Sequence, residues 1–317
     1  MVEKDTLNAA DARCEYALQT DRLTKRYGEQ YALNGLDMRV PRGGVYGFVG
    51  RNGAGKTTLI RLICGLQRPT SGGYALFGAP HDGGEIAKAR RRIGAVVETP
   101  AIYLDMSAAE NLKQQYLMLG RRSFDGIEKL LGQVGLGDVG RKRARHFSLG
   151  MKQRLGIAMA LAGNPELLVL DEPANGLDPE GVVAMRELLR RLNREQGITL
   201  LISSHNLDEL SRLATHYGII DQGRMVRELS AAELDAACRK CVRMAVSDAA
   251  ALGRALEVMG KAYSIVSETE VDVYDPVNVT QLALSLSAEH CEILSMQDRS
   301  ETLEGYFMSL VGGDGRD

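Results

Sequence analysis

The sequence predicts an α/β protein: a mostly parallel sheet covered by helices on both faces, followed by a smaller domain of mixed α and β. Three observations carry this. Short, almost wholly apolar runs at 45–49 (VYGFV), 167–170 (LLVL) and 199–202 (TLLI) read as strands buried on both faces. Helical patterns lie between them, and that alternation is the signature of strands joined by crossover helices. Charge also shifts along the chain: residues 231–317 hold 7 Lys/Arg and 15 Asp/Glu, a balance of −8 within a total of −2, which leaves +6 for residues 1–230. Such a break marks a domain boundary.

In chain order, residues 1–15 mix charge with no apolar core and are expected to be a disordered extension. The first domain is placed at 16–237. Its strand at 45–49 lies between Gly43-Gly44 and Gly50, and Leu59, Ile60, Ile63 and Leu66 then recur at helical spacing. A strand at 93–97 (IGAVV) precedes a helix starting near Ser107. Between the strands at 167–170 and 199–202, residues 181–194 form an amphipathic helix with Val182, Met185, Leu188, Leu189 and Leu192 on one face. A strand at 218–220, a turn at 221–224 and one more short strand close the sheet, and Ser230 introduces a helix at 231–237, with Glu233 at capping-box spacing. The pattern then restarts, and residues 238–317 are read as a small acidic α+β domain. Its strands are expected at 242–246, 263–266 and 270–274, and its helices at 249–259, 279–286 and 301–310.

Composition narrows the function. No run of about 18 apolar residues occurs, so no transmembrane helix is expected. Residues 1–19 lack the apolar segment of a signal peptide. Five scattered cysteines point to a reducing cytoplasm, and the lone Cys238-x-x-Cys241 pair reads as structural because no second ligand pair accompanies it. The near-neutral total argues against bulk nucleic-acid binding.

Two motifs carry chemistry. Gly50-Arg51-Asn52-Gly53-Ala54-Gly55-Lys56-Thr57, followed by Thr58, fits G-x-x-x-x-G-K-[ST] between a strand and a helix. Glycines let backbone N–H groups turn inward around phosphate oxygens, the helix N-terminus adds its dipole, Lys56 reaches the β/γ phosphates, and Thr57 offers a hydroxyl to Mg²⁺. The second motif is the buried strand at 167–170, ending in Asp171 and Glu172. Asp171, at the sheet's C-terminal edge, suits a carboxylate that orients Mg²⁺, and Glu172 could polarise an attacking water.

Between these motifs lies Phe147-Ser148-Leu149-Gly150-Met151-Lys152-Gln153-Arg154, which resembles the signature motif of the ABC ATPases. Asp171-Glu172-Pro173, then Asn175-Gly176-Leu177-Asp178 (similar to the D-loop) and His205 (similar to the switch histidine) follow in that family's order. Tyr27 matches the aromatic that stacks on adenine. The resemblance covers roughly residues 16–229. It implies a phosphate-loop NTPase domain with an antiparallel β part and a helical signature subdomain, ATP as the nucleotide and Mg²⁺ as its ion. It also implies two copies, or a paired ATPase, that share their ATP sites. Ser148 and Gly150 would then contact the γ-phosphate held by the opposite subunit's loop, and His205 would hold the attacking water.

The sequence departs from the common signature at Leu149 and Met151, which replace a glycine and a glutamine. It also carries Glu98 where a glutamine that ligates Mg²⁺ through water is commoner. These departures, with residues 175–181 and the segment 301–312, resemble the ATPases of bacterial exporters for bacitracin-type and lantibiotic peptides. The expectation is therefore an ATP-hydrolysing subunit on the inner face of the membrane, powering a separate transmembrane permease, with residues 99–111 facing it. A soluble ribosome- or DNA-associated ABC ATPase is the alternative. Such factors usually carry two cassettes or a long coiled coil, whereas this chain has one phosphate loop, one signature and no extended heptad run.

Overall fold

The computed structural model describes residues 15–238, 241–299 and 303–312. The expectation for residues 1–14 lies outside these, as do positions 301–302 of the last predicted helix. The chain separates into two units, Met1–Ala231 and Ala232–Asp317.

The first unit opens with two long strands, β1 (Tyr16–Tyr27) and β2 (Gln30–Pro41), paired antiparallel. Sequence periodicity does not reveal them, and the reason is visible: the register slips at several points along the pair, which breaks the two-residue alternation of buried and exposed side chains. β3 (Val45–Val49) follows, then α1 (Lys56–Ile63), β4 (Ser71–Leu76), β5 (Ala79–Pro80), α2 (Ile86–Arg90) and β6 (Ile93–Val96). Helix α1 stops short of Leu66, expected on its buried face; Gly65 takes a left-handed φ of +77°, and Leu66 is exposed. Three helices come next, α3 (Ala108–Met118), α4 (Ile127–Gln133) and α5 (Leu149–Leu161), as the helical insertion that a signature subdomain requires. Ser107 starts α3 through a capping box with Glu110, and the backbone N–H and hydroxyl of Ser107 hold the Glu110 carboxyl below its ordinary range. The unit ends with β7 (Leu167–Asp171), α6 (Pro179–Gln196), β8 (Thr199–Ser204), α7 (Leu207–Ser211), β9 (His216–Asp221) and β10 (Arg224–Ser230).

These strands form two sheets. One is antiparallel, in the order β2-β1-β4-β5. The other has the order β10-β9-β3-β8-β7-β6 and is parallel except at β10. The main core lies between them: Leu18, Leu33 and Met38 from the antiparallel sheet meet Phe48 and Val169 from the parallel one, with Leu59, Ile60 and Ile63 of α1 in the same cluster. Every residue of β3, β7 and β8 is buried, so these three adjacent strands are fixed by packing on both faces. Their C-terminal ends carry the phosphate loop, the acidic pair and His205.

Helix α8 (Ala231–Ala237) spans the boundary. The second unit continues as β11 (Cys241–Val246), α9 (Ala249–Val258), β12 (Tyr263–Ile265), β13 (Glu270–Val273), α10 (Val279–Ala288), β14 (Ile293–Arg299) and α11 (Leu303–Gly312). The β-α-β-β-α-β run with antiparallel order β12-β13-β11-β14 is the split βαβ arrangement. Its own core joins Met244, Val246, Val271 and Val273 of the sheet to Leu252, Leu256, Leu282 and Leu286 of the helices. β14, absent from the sequence reading, pairs along β11. Its exposed Leu294 and Met296 obscure the strand pattern.

Candidate active site

The loop after β3 is tied down by its backbone. The Gly50 N–H donates to the Ser204 carbonyl (3.2 Å), the Ala54 N–H to the Arg51 carbonyl (3.1 Å), and the Gly223 N–H to the Ala54 carbonyl (3.0 Å). Gly55 adopts φ +111°, and a Cβ there would lie 2.4 Å from the Ala32 carbonyl oxygen, so the turn into α1 admits only glycine. Among the described residues no side chain caps α1, whose N-cap is Gly55. Its first N–H groups therefore remain available to an anion. Arg51, Asn52 and Gly53 are exposed at the tip of the loop, Ala54 is buried, and Thr58 is half-buried in the first turn.

Lys56 is 5% exposed. A buried ammonium needs oxygen partners. It donates to the carbonyls of Gly50 (2.6 Å) and Arg51 (3.2 Å) and lies 3.3 Å from Glu172 Oε1. The cation thus bridges the loop and the end of β7. Beside it, the Thr57 hydroxyl donates to Asp171 Oδ2 at 2.8 Å. The other Asp171 oxygen accepts from the Ser203 hydroxyl at 2.6 Å.

Glu172 has a left-handed φ of +48°, a conformation that a glutamate holds only where its surroundings impose it. Its N–H donates to both the carbonyl (3.2 Å) and the hydroxyl (3.0 Å) of Ser203. Its carboxylate has partners separate from those of Asp171: Oε1 faces Lys56, and Oε2 lies 2.9 Å from His205 Nδ1. Lys56, Thr57, Asp171, Glu172 and His205, chosen from three separate stretches of sequence, are thereby brought into one constellation. Ser203 is the member that sequence reading missed. The only available signal was its place in TLLISS, level with Asp171 on the neighbouring strand.

The remaining candidates lie outside that hydrogen-bonded group. Tyr27, at the end of β1, is 46% exposed; its hydroxyl bonds Gln67, and the Lys25 ammonium lies 5.2 Å from its ring centre. Glu98 has φ +58° and accepts from Arg61 of α1. Ser148 caps α5, accepting from the Met151 N–H at 3.3 Å, and Asp178 caps α6, accepting from the Gly181 N–H at 3.1 Å. Gly150 lies against Leu177, which precedes Asp178.

A buried ammonium, a glycine-bounded loop opening a helix whose N-cap glycine makes no side-chain cap bond, and an adjoining hydroxyl–carboxylate pair fit a polyphosphate with a hard divalent cation. A groove of about 1030 Å³ opens elsewhere on this unit, lined by Arg90, Arg91, Thr99, Tyr103, Met118 and Arg121 among others, and no Asp or Glu is among its lining residues.

Comparison with known proteins gives a consistent answer. The ABC transporter family model matches residues 33–175. The chain is 39% identical over 306 residues to the bacitracin transport ATP-binding protein BcrA of Enterococcus faecalis, covering 95% of this chain and 98% of that one. It is 42% identical over 211 residues to the lantibiotic transport ATP-binding protein SrtF of Streptococcus pyogenes, covering 67% of this chain and 90% of that one. Among solved structures it resembles the ATP-binding cassette MJ0796 in a dimeric post-hydrolysis state bound to ADP and Pi, with a TM-score of 0.60 and 25% identity over 68% of this chain and 98% of that one.

Proposed function

Because the chain belongs to the ABC transporter family and is one of its ATP-hydrolysing subunits, we propose that it powers export of a peptide or antibiotic-like substrate through a separate membrane permease. The single observation that carries the catalytic half is the Lys56–Glu172–His205 bridge beside the Thr57–Asp171 pair. The full-length likeness to a bacitracin transport ATP-binding protein supports the export half.

In this reading Lys56 and the N–H groups of the loop bind the β/γ phosphates, with Arg51, Asn52, Gly53, Ala54, Gly55 and Thr58 shaping the cradle, and Tyr27 stacks on the adenine. Thr57 and Asp171 would hold Mg²⁺, and Glu98 would reach it through water; when bound, the ion would supply charge neutralisation at the phosphates. Glu172 takes the proton of the attacking water, and His205 fixes the carboxylate and its water for in-line attack. Most of the rate enhancement then comes from positioning and fixed charge.

Two copies close head to tail. Ser148 and Gly150 of one meet the γ-phosphate on the other's loop, and Asp178 orders the segment between. The permease docks on the arginine-lined groove and residues 99–111, which holds the chain at the cytoplasmic face of the membrane. Among the described residues no helix is long and apolar enough to cross a membrane. The unit at 232–317 contains none of these residues and stabilises or regulates the dimer. Affinity capture of the full chain from detergent-solubilised native membranes tests the partner. A polytopic membrane protein should be retained, and lost with Met118→Glu in the groove; retention of ribosomes instead would refute the transport reading.

A further inference from the structure

Leu149 stands where the common signature has glycine, and the structure gives it a contact. A Cβ built on Gly176 would lie 3.1 Å from Leu149 Cδ2, so the leucine rests on the backbone of Gly176. Gly176 has φ +75°. Next to it, a Cβ on Gly150 would lie 3.6 Å from Leu177 Cδ2. The N-terminus of α5 is therefore seated on the loop 176–177 of its own chain.

That loop is continuous with the acid. The Asn175 N–H donates to the Glu172 carbonyl (3.1 Å), the Leu177 N–H to the Ala174 carbonyl (3.2 Å), and Asp178 caps α6. Two successive turns thus run from Glu172 to the start of a helix. At the near end Glu172 holds Lys56 and His205. These hydrogen-bonded turns give a displacement of Gly176 a short route along the backbone to that carboxylate. With glycine at position 149, this contact would not exist.

We propose that Leu149 is a positioning residue that ties the N-terminus of α5 to the turn carrying Glu172, so that contact of Ser148 and Gly150 with the twin subunit's nucleotide sets the general base in their own subunit. This rests on the head-to-tail dimer proposed above. It gives the departure from the common signature a role: the leucine makes the two sites communicate.

Leu149 is 44% exposed, so its replacement should leave the fold intact. Full-length Leu149→Gly, the conservative Leu149→Met and the wild type are compared for melting temperature, ATP-dependent dimerisation and steady-state ATP hydrolysis. In Leu149→Gly, kcat should fall roughly fivefold or more, with KM for ATP within about twofold, and the Hill coefficient should drop from above one toward one. Leu149→Met should restore both. If Leu149→Gly dimerises with unchanged kcat and Hill coefficient, the coupling role is wrong while the dimer stands. If the wild type itself never dimerises with ATP, the underlying reading fails instead. A fall in kcat matched by a lower melting temperature and not rescued by methionine would make Leu149 a packing residue only, against the proposal.

Discussion

Five side chains make the site, and a sixth holds two of them in place. Ser203 is fully buried; it donates to Asp171 and accepts from the Glu172 N–H, so one hydroxyl orients the carboxylate proposed for the metal and the turn of the proposed general base. Ser203→Ala removes both hydroxyl bonds and, among the described residues, leaves the Asp171 carboxylate bonded to the Thr57 hydroxyl alone. Turnover should fall about 10- to 100-fold, the usual cost of losing a group that orients a ligand. ATP affinity should change little, because the proposed phosphate-binding Lys56 and its loop are untouched. Steady-state kinetics beside equilibrium nucleotide binding checks this, and an unchanged kcat would remove Ser203 from the machinery. At this scale the sequence was legible wherever chemistry requires a residue type at a fixed spacing: the Gly–Lys–Thr loop, the paired acids, the histidine after a strand. It was not legible for Ser203, because a serine ending a buried strand is ordinary until the neighbouring strand shows what lies opposite.

The elements were legible where both faces are buried and obscure where pairing is irregular. The strands β3, β7 and β8 declare themselves as apolar runs because packing on two sides tolerates nothing else. β1 and β2 do not, because their bulges scramble the alternation. What fastens β7 at its start is a charge cluster: Glu166 accepts from Arg92 Nε (2.7 Å) and Nη2 (2.8 Å) and from Arg42, while the Arg92 guanidinium lies 3.9 Å from the Phe77 ring centre. The Arg92 hydrogen bonds hold the Glu166 carboxyl below its ordinary value of 4.5. A depressed folded value means that the stabilisation is fully present above about pH 4.5 and is lost as pH falls through the folded value. Glu166 is half-exposed, so solvent screening limits the gain to about 1 kcal/mol or less. Glu166→Gln should therefore lower the melting temperature by a few degrees at pH 7. The gap to the wild type should close as pH is lowered below 4.5, and a pH-independent gap would show that packing, not charge, is lost.

The whole molecule joins a nucleotide-hydrolysing unit to a split βαβ unit with its own core. The charge break near residue 230 announced two parts, and the restart of strand and helix patterns after Cys241 announced that the second would be α+β. Its topology could not be read from one sequence, since the partner of each strand is decided by tertiary packing. The proposed division of labour between two copies is likewise written in no single chain; it rests on Ser148 and Gly150 lying at the start of α5 while the acids they would complement lie at the end of β7. Glu172→Gln tests the proposed shared site. The amide keeps the shape of the side chain but takes no proton from water, so ATP binds and remains intact. Size-exclusion chromatography with light scattering at millimolar ATP should show the full-length variant as a stable dimer that reverts to monomer when ATP is withdrawn, whereas a variant that binds ATP yet stays monomeric while the wild type dimerises would contradict the account.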